Sequence, residues 1–214
     1  MITINKTIKL IPNNEFAKLA SDERVTRVAQ ALKTNNMDVL IAETGEEAKQ
    51  LVLDLVPKGA EVYSNVSKTL EKIGLSEELD KSGRYNAVRP KVLSLDRKTQ
   101  KDMIRKIRST PDYIIGSVQA ITEAGQVLTA SGSGSQIASY AYGAAKVIWV
   151  VGAQKLVRDL DEAFRRIAEY SYPLEDARMQ EAFGRNSSVN KTLIINRDAP
   201  GRITIVLVKE NLGF

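Results

Sequence analysis

The 214-residue sequence contains neither cysteine nor histidine. Without cysteine there is no disulfide, no thiolate nucleophile and no cysteine-held iron–sulfur cluster, and the zinc sites that draw on Cys or His are excluded. Without histidine there is no Ser-His-Asp triad and no imidazole base near neutral pH. Catalysis is left to carboxylates, Lys, Tyr, Ser and Thr, or to a bound cofactor whose identity the sequence does not reveal. Long apolar runs are missing too. The longest useful one, VIWVVGA at 147–153, falls far short of the ~18 residues of a membrane helix. The opening MITINKTIKLIP interrupts its isoleucines with Asn5, Lys6 and Lys9, unlike a secretory signal, so a cytoplasmic protein without membrane contact is expected.

What is present reads as an ordinary folded chain. Hydrophobic residues make up 43% and charged residues 27%, enough to build a packed core and far from disordered compositions. At this length one domain spanning 1–214 is the expectation. The formal charge of +5 favours anionic partners in general. Its local maximum is RKTQKDMIRKIR at 97–108, where a helix aligns Arg97, Lys101, Arg105 and Arg108 opposite Met103, Ile104 and Ile107. No aromatics interleave with these charges, so a solvated outer face is expected and a nucleic-acid footprint is disfavoured.

Apolar spacing predicts a helix over 15–36, a buried strand at MDVLIAET, a helix at GEEAKQLVLDLV ended by Pro57, and a strand at AEVYSNV. An irregular stretch around GLSEELDKSG precedes the basic helix at 96–109. The strands DYIIGSV and QVLTA follow, separated by QAITEAG with Gly125 in a tight turn. Next come a Gly/Ser loop, a helix over 134–143 and the strand KVIWVVGA. A helix then runs from Leu156, with Leu160, Phe164 and Ile167 on one face. Two final runs split by DAPG read as a hairpin or paired edge. This alternation predicts a mostly parallel sheet covered on both faces, with some antiparallel members. Ligands of such sheets bind beyond the carboxyl ends of the strands.

That rule selects four candidate places. The first is Ser131, Gly132, Ser133, Gly134 and Ser135, followed by Gln136, between a strand and a helix, where amide N–H groups and hydroxyls suit an anion. It is not a Walker loop, since Gln136 stands where Lys is required, nor a dinucleotide fingerprint, since Ile137 replaces the third glycine. A serine capping the helix accounts for the same composition. The second is Glu123, a turn carboxylate that serves as nucleophile or acid/base if desolvated, and is otherwise solvated. The third is YSNVSKTLEKIGL, where Ser64, Asn65, Ser67 and Thr69 line a polar pocket and Lys68 adds charge, with Ser67 doubling as a helix cap. The fourth is VVGAQK, with Gly152, Gln154 and Lys155 after a fully apolar strand; Lys155 as a mere balance for helix charge is the competing expectation. No metal site is expected.

The long stretch from DYIIGSV through AFRRIAEY closely resembles the LUD domain, the family of lactate utilization protein C, and SNVSKTLEKIGL and NKTLIINRDAPGRITIVLVKENLGF fit the same family. The resemblance implies a three-layer α/β/α fold with a mostly parallel, mixed sheet, akin to ribose-5-phosphate isomerase, glucosamine-6-phosphate deaminase and the coenzyme A transferases. It also implies a link to the oxidation of L-lactate to pyruvate, a small anionic metabolite as ligand, and an iron–sulfur protein as partner, because the clusters of larger family members have no cysteine ligands here. A homo-oligomer is left open. TEAG, with Glu123 and Gly125, is similar to the glutamate segment of the transferases, although Ala124 replaces Asn. This keeps an enzyme acting on a thioester or sugar phosphate as an alternative reading.

Overall fold

A computed structural model describes residues 10–214; the MITINKTIK opening lies outside them. The elements run α1 (Asp22–Thr34), β1 (Asp38–Ala42), α2 (Gly45–Leu55), β2 (Glu61–Ser64), α3 (Lys68–Lys72), α4 (Leu75–Lys81), β3 (Asn86–Ala87), α5 (Val88–Ser94) and α6 (Lys101–Ser109). They continue with β4 (Tyr113–Gly116), β5 (Ala120–Thr122), β6 (Val127–Ser131), β7 (Lys146–Gly152), β8 (Leu156–Val157), α7 (Leu160–Arg166), α8 (Tyr172–Phe183), β9 (Lys191–Ile195) and β10 (Ile203–Val208).

Six strands form a parallel sheet in the order β1-β10-β7-β4-β2-β3. Its central strands β7 and β10 are apolar except for Lys146 and Thr204, because both faces are covered. In β7, Val147, Trp149 and Val151 pack with Val25, Val28 and Leu32 of α1, while Ile148 and Val150 pack with Val52 of α2 and Leu70, Leu75 and Leu79 of α3 and α4. Alternation along one strand thus feeds two cores, which is what makes three layers. A second sheet, β8-β5-β6-β9, is mixed and carries the antiparallel pairs. One face joins the α1 core through Ile121, Val127 and Ile195, and the other receives Ala163 and Ile167.

Several expectations are corrected. The 15–36 helix is broken: a 3-10 turn (Asn14–Ala17) precedes α1, whose start is fixed by Ser21 accepting the Arg24 N–H at 3.3 Å. The supposedly irregular GLSEELDKSG holds α4, because Leu75 and Leu79 repeat at i,i+4 and are buried. QAITEAG contains a strand, so the hairpin is β5–β6 around Gly125, while β4 joins the larger sheet. Gly125 has φ +76°, and an added Cβ would meet the Leu32 amide of α1 at 2.9 Å. The helix after the Gly/Ser loop is short, ending in a single π-type turn (Ser139–Gly143). The helix expected from Leu156 begins at Leu160, where Asp159 caps it; Leu156 belongs to β8 and Phe164 is exposed. The two runs around DAPG do not pair with each other: β9 lies beside β6 and β10 between β1 and β7.

The basic stripe also divides. Arg105 is exposed and pairs with Asp102, whereas Arg97 and Arg108 line a cleft. No helix of the described residues is long and apolar enough to cross a membrane.

Candidate functional site

Because the strands of the large sheet run the same way, the segments following β2, β4 and β7 emerge side by side. They bring Asn65, Ser67, Lys68 and Thr69 together with Ser117, Gln119 and Lys155 on one wall of a cleft of about 850 Å³. Ser131–Ser133, Ser135 and Gln136 at the end of β6, the α7–α8 junction, and residues 185–189 also line it. Asp176, buried in α8, accepts the Ser187 N–H (2.6 Å) and the Asn186 amide (3.2 Å), which fixes that last segment. Arg89, Arg97 and Arg108 stand along the lining. In all, seven basic side chains line the cleft against Glu71 and Glu175. The cleft is therefore electropositive.

Lys155 is the chemical focus. It is 1% exposed. Its Nζ lies 3.0 Å from Thr69 Oγ1 and 3.1 Å from Ser117 Oγ, and no carboxylate of the described residues pairs with it. The Ser117 hydroxyl donates its own proton to the Val150 carbonyl at 2.7 Å, and the Thr69 hydroxyl donates to the Leu212 carbonyl at 3.0 Å. The Thr69 proton has a second acceptor in reach, Ser117 Oγ at 3.3 Å, and with both hydroxyl protons engaged in these bonds Nζ is the donor to each hydroxyl. Two of its three substituent positions are used; the third has no protein partner. Burial, reinforced by the Arg166 guanidinium, holds the Lys155 pKa well below the usual lysine range.

Arg166 is a second buried cation without a carboxylate. Its guanidinium donates to the Gln119 carbonyl, to the Gln154 carbonyl (3.3 Å) and to Ser171 Oγ (3.0 Å), tying three cleft segments to α7. Burial lowers its pKa to about 10. Arg108 stacks over the Tyr63 ring, 5.4 Å from its centroid.

Ten of the residues selected from the sequence line this cleft: Asn65, Ser67, Lys68, Thr69, Ser131, Gly132, Ser133, Ser135, Gln136 and Lys155. Within the Gly/Ser loop, Ser131 Oγ accepts the Gly134 N–H (2.9 Å) and donates to Gln136 Oε1 (3.1 Å), while Ser133 Oγ accepts the Ser135 N–H (3.3 Å). Two loop amides are thereby occupied by the loop's own serines. Ser67 also caps α3, accepting the Leu70 N–H at 3.4 Å, and Lys68 pairs with Glu71 at 2.6 Å.

The remaining five lie outside the lining. Ser64 is fully buried and donates to Asp80 at 2.6 Å. Gly134 turns the loop at φ +80° against Lys191. Gly152 leaves room for the C-terminal segment, and Gln154 clamps that segment by donating to the carbonyls of Leu212 (3.0 Å) and Gly213 (3.2 Å). Glu123 sits at the far end of β5 from Gln119, a separation of roughly 13 Å at about 3.3 Å per residue. There its carboxylate pairs with Arg24 at 2.7 Å.

Sequence reasoning passed over Ser117, Gln119, Arg89 and Arg166, and it expected Arg108 on a solvated outer face. Two signals were available. Ser117 follows β4 just as Asn65 follows β2, so the strand-end rule selects it equally. Arg166 occupies a core-facing position, with Ala163 three residues before and Tyr170 four after, where a cation without a structural reason is rare.

The comparisons with known proteins agree with this architecture. A crystal structure of a DUF162 family protein from Deinococcus radiodurans superposes with a TM-score of 0.56 at 12% identity, covering 89% of this chain and 99% of that one. The eIF2B delta structure from Chaetomium thermophilum gives a TM-score of 0.30 at 16% identity over 66% of this chain and 50% of that one, too weak to bear on the fold. No curated protein matches. The profile of the LUD domain matches residues 25–208, which includes both sheets and nearly all of the cleft's basic wall, and the chain therefore belongs to the LUD domain family.

Proposed function

We propose that this chain binds a small organic acid anion in the cleft and serves organic-acid utilization in the cytoplasm, in keeping with its family's general association with lactate utilization. The observation that supports this most is Lys155: a buried amine without a carboxylate, its third hydrogen-bonding position unfilled, in a cleft where basic groups outnumber acidic ones seven to two. An ammonium in such a place is unfavourable until an anion joins it. A carboxylate oxygen accepting a charge-assisted bond from Nζ supplies that partner. Ser131, Ser133, Ser135 and Gln136, which also line the cleft, orient the rest of the ligand. The cysteine-free chain has no thiolates to hold an iron–sulfur cluster of its own, and in this reading an iron–sulfur protein partner accepts the electrons of L-lactate oxidation.

A thermal-shift and calorimetric series with lactate, pyruvate, inorganic phosphate and the neutral amide of lactate tests the proposal. At 100 times its dissociation constant a ligand of the native state adds about 2.7 kcal/mol of stability. Lactate or pyruvate is expected to raise the melting temperature and the amide is not; equal response to the amide contradicts an anion site. The alternative of acyl transfer or sugar-phosphate isomerisation through Glu123 draws no support from the placement of that residue against α1. Nucleic-acid binding is likewise unsupported, since Arg97 and Arg108 face a concave cleft.

A further inference from the structure

We infer that Lys155 is a carbonyl-reactive amine, and that short oxo acids entering the cleft condense with it to a reversible imine. This rests on the cleft being the organic-acid site proposed above. It goes further by assigning a covalent step to one nitrogen.

The geometry carries the inference. Thr69 Oγ1 and Ser117 Oγ are committed as donors to the carbonyls of Leu212 and Val150, so each can only accept from Nζ. A neutral amine has two N–H groups, and these two acceptors use both. Its lone pair is then left at the third position, in a residue that lines the cleft. The protonated form would instead place an N–H there with no protein acceptor, which a buried donor disfavours. The neighbouring Arg166 guanidinium acts in the same direction, since a like charge disfavours the ammonium. No carboxylate of the described residues is paired with either cation to oppose it.

The step balances without any further reagent. The Nζ lone pair attacks the carbonyl carbon, a C–N bond forms, and the amine proton passes to the oxygen to give a carbinolamine. Loss of that oxygen with the second amine proton, as one water molecule, leaves the imine. Both protons that leave are the ones hydrogen-bonded to Thr69 and Ser117, so those hydroxyls orient the amine and hold its lone pair toward the third position. In this step the carboxylate of an oxo acid rests on the other six basic side chains of the lining, not on Nζ, which leaves its electrophilic carbonyl for the neutral amine. A hydroxy acid such as lactate has the carboxylate without that carbonyl.

The test is reductive trapping on the wild-type protein. The chain is incubated with pyruvate or glyoxylate and cyanoborohydride, digested, and every lysine is scored by mass spectrometry. The expected result is carboxyalkylation of Lys155 at least tenfold above any exposed lysine, saturating with oxo acid and suppressed by lactate. The exposed lysines serve as internal controls for intrinsic amine reactivity. A lactate-dependent melting shift accompanied by no preferential labelling of Lys155 overturns the imine and leaves the binding site standing. Absence of both the shift and the labelling removes the site itself. Thr69→Val, which takes away one acceptor while retaining the amine, is expected to slow trapping at Lys155 at least threefold; an unchanged rate contradicts the orienting role of that hydroxyl.

Discussion

Replacing Lys155 by methionine should make the ligand-free protein more stable at neutral pH while removing its response to organic acids. Met is unbranched and apolar with a length close to that of Lys, so it occupies the same channel without a charge to desolvate. What is lost are two hydrogen bonds, each worth about 0.5–1.5 kcal/mol net. Neither acceptor is orphaned, since Thr69 and Ser117 keep their bonds to the Leu212 and Val150 carbonyls. What is recovered is the penalty of a buried amine without a counter-charge beside a second buried cation; replacing buried ionic groups by apolar ones is worth about 1–4 kcal/mol in favourable cases. The midpoints of these ranges leave roughly 0.5 kcal/mol in favour of Lys155→Met, or about 1–2 °C for a chain of this size. The sign with pH follows from linkage. Burial depresses the native pKa of Lys155, so between that value and the unfolded value of about 10.4 the unfolded chain binds more protons, and wild-type stability rises with pH. The advantage of the variant should therefore shrink between pH 7 and pH 10. Circular-dichroism melts of both proteins at the two pH values measure this directly. A variant that melts several degrees lower at pH 7, or a gap that stays constant with pH, would refute the picture of an uncompensated amine.

Three other substitutions probe the surrounding structure. Gly116→Ala would drive a Cβ into the hydroxyl of fully buried Tyr140, with Asn65 Cβ 3.3 Å away, so a loss of about 1–3 kcal/mol in denaturant unfolding is expected together with a displaced Asn65 wall. Gly134→Ala forces a side chain onto φ +80° and against Lys191, which should cost about 1–3 kcal/mol and weaken the thermal response to organic acids. Glu123→Gln removes a partly exposed ion pair with Arg24; stability should fall by under ~1 kcal/mol and the ligand response should not change.

How far the sequence discloses this molecule depends on whether the signal was local. The nearly continuous apolar runs of β7 and its partner β10 read directly as strands buried on both faces, because alternation toward two cores makes nearly every position apolar. The strand-end rule likewise selects Asn65, Thr69 and Lys155 from sequence alone. The two short runs at the C-terminus show the limit: β9 and β10 are separated by a turn that suits a hairpin, yet Ile205 and Leu207 pack on α1 while β9 completes the second sheet beside β6. Strand partners are chosen by distant surfaces, which local turn chemistry does not encode. Glu123 illustrates the same limit at the site, since a carboxylate on a β-turn has the same local sequence whether it faces a cleft or a helix. The role of Arg166 depends on three carbonyl and hydroxyl acceptors gathered from separate loops, and only its position on the inward face of a helix hints at it.

The most direct test of the central claim, that Lys155 awaits an anion, is a calorimetric titration of wild type and Lys155→Met with lactate and pyruvate at two salt concentrations. Saturable binding by the wild type that weakens with salt and disappears in the folded variant is the predicted result. Equal affinity of both proteins would contradict it.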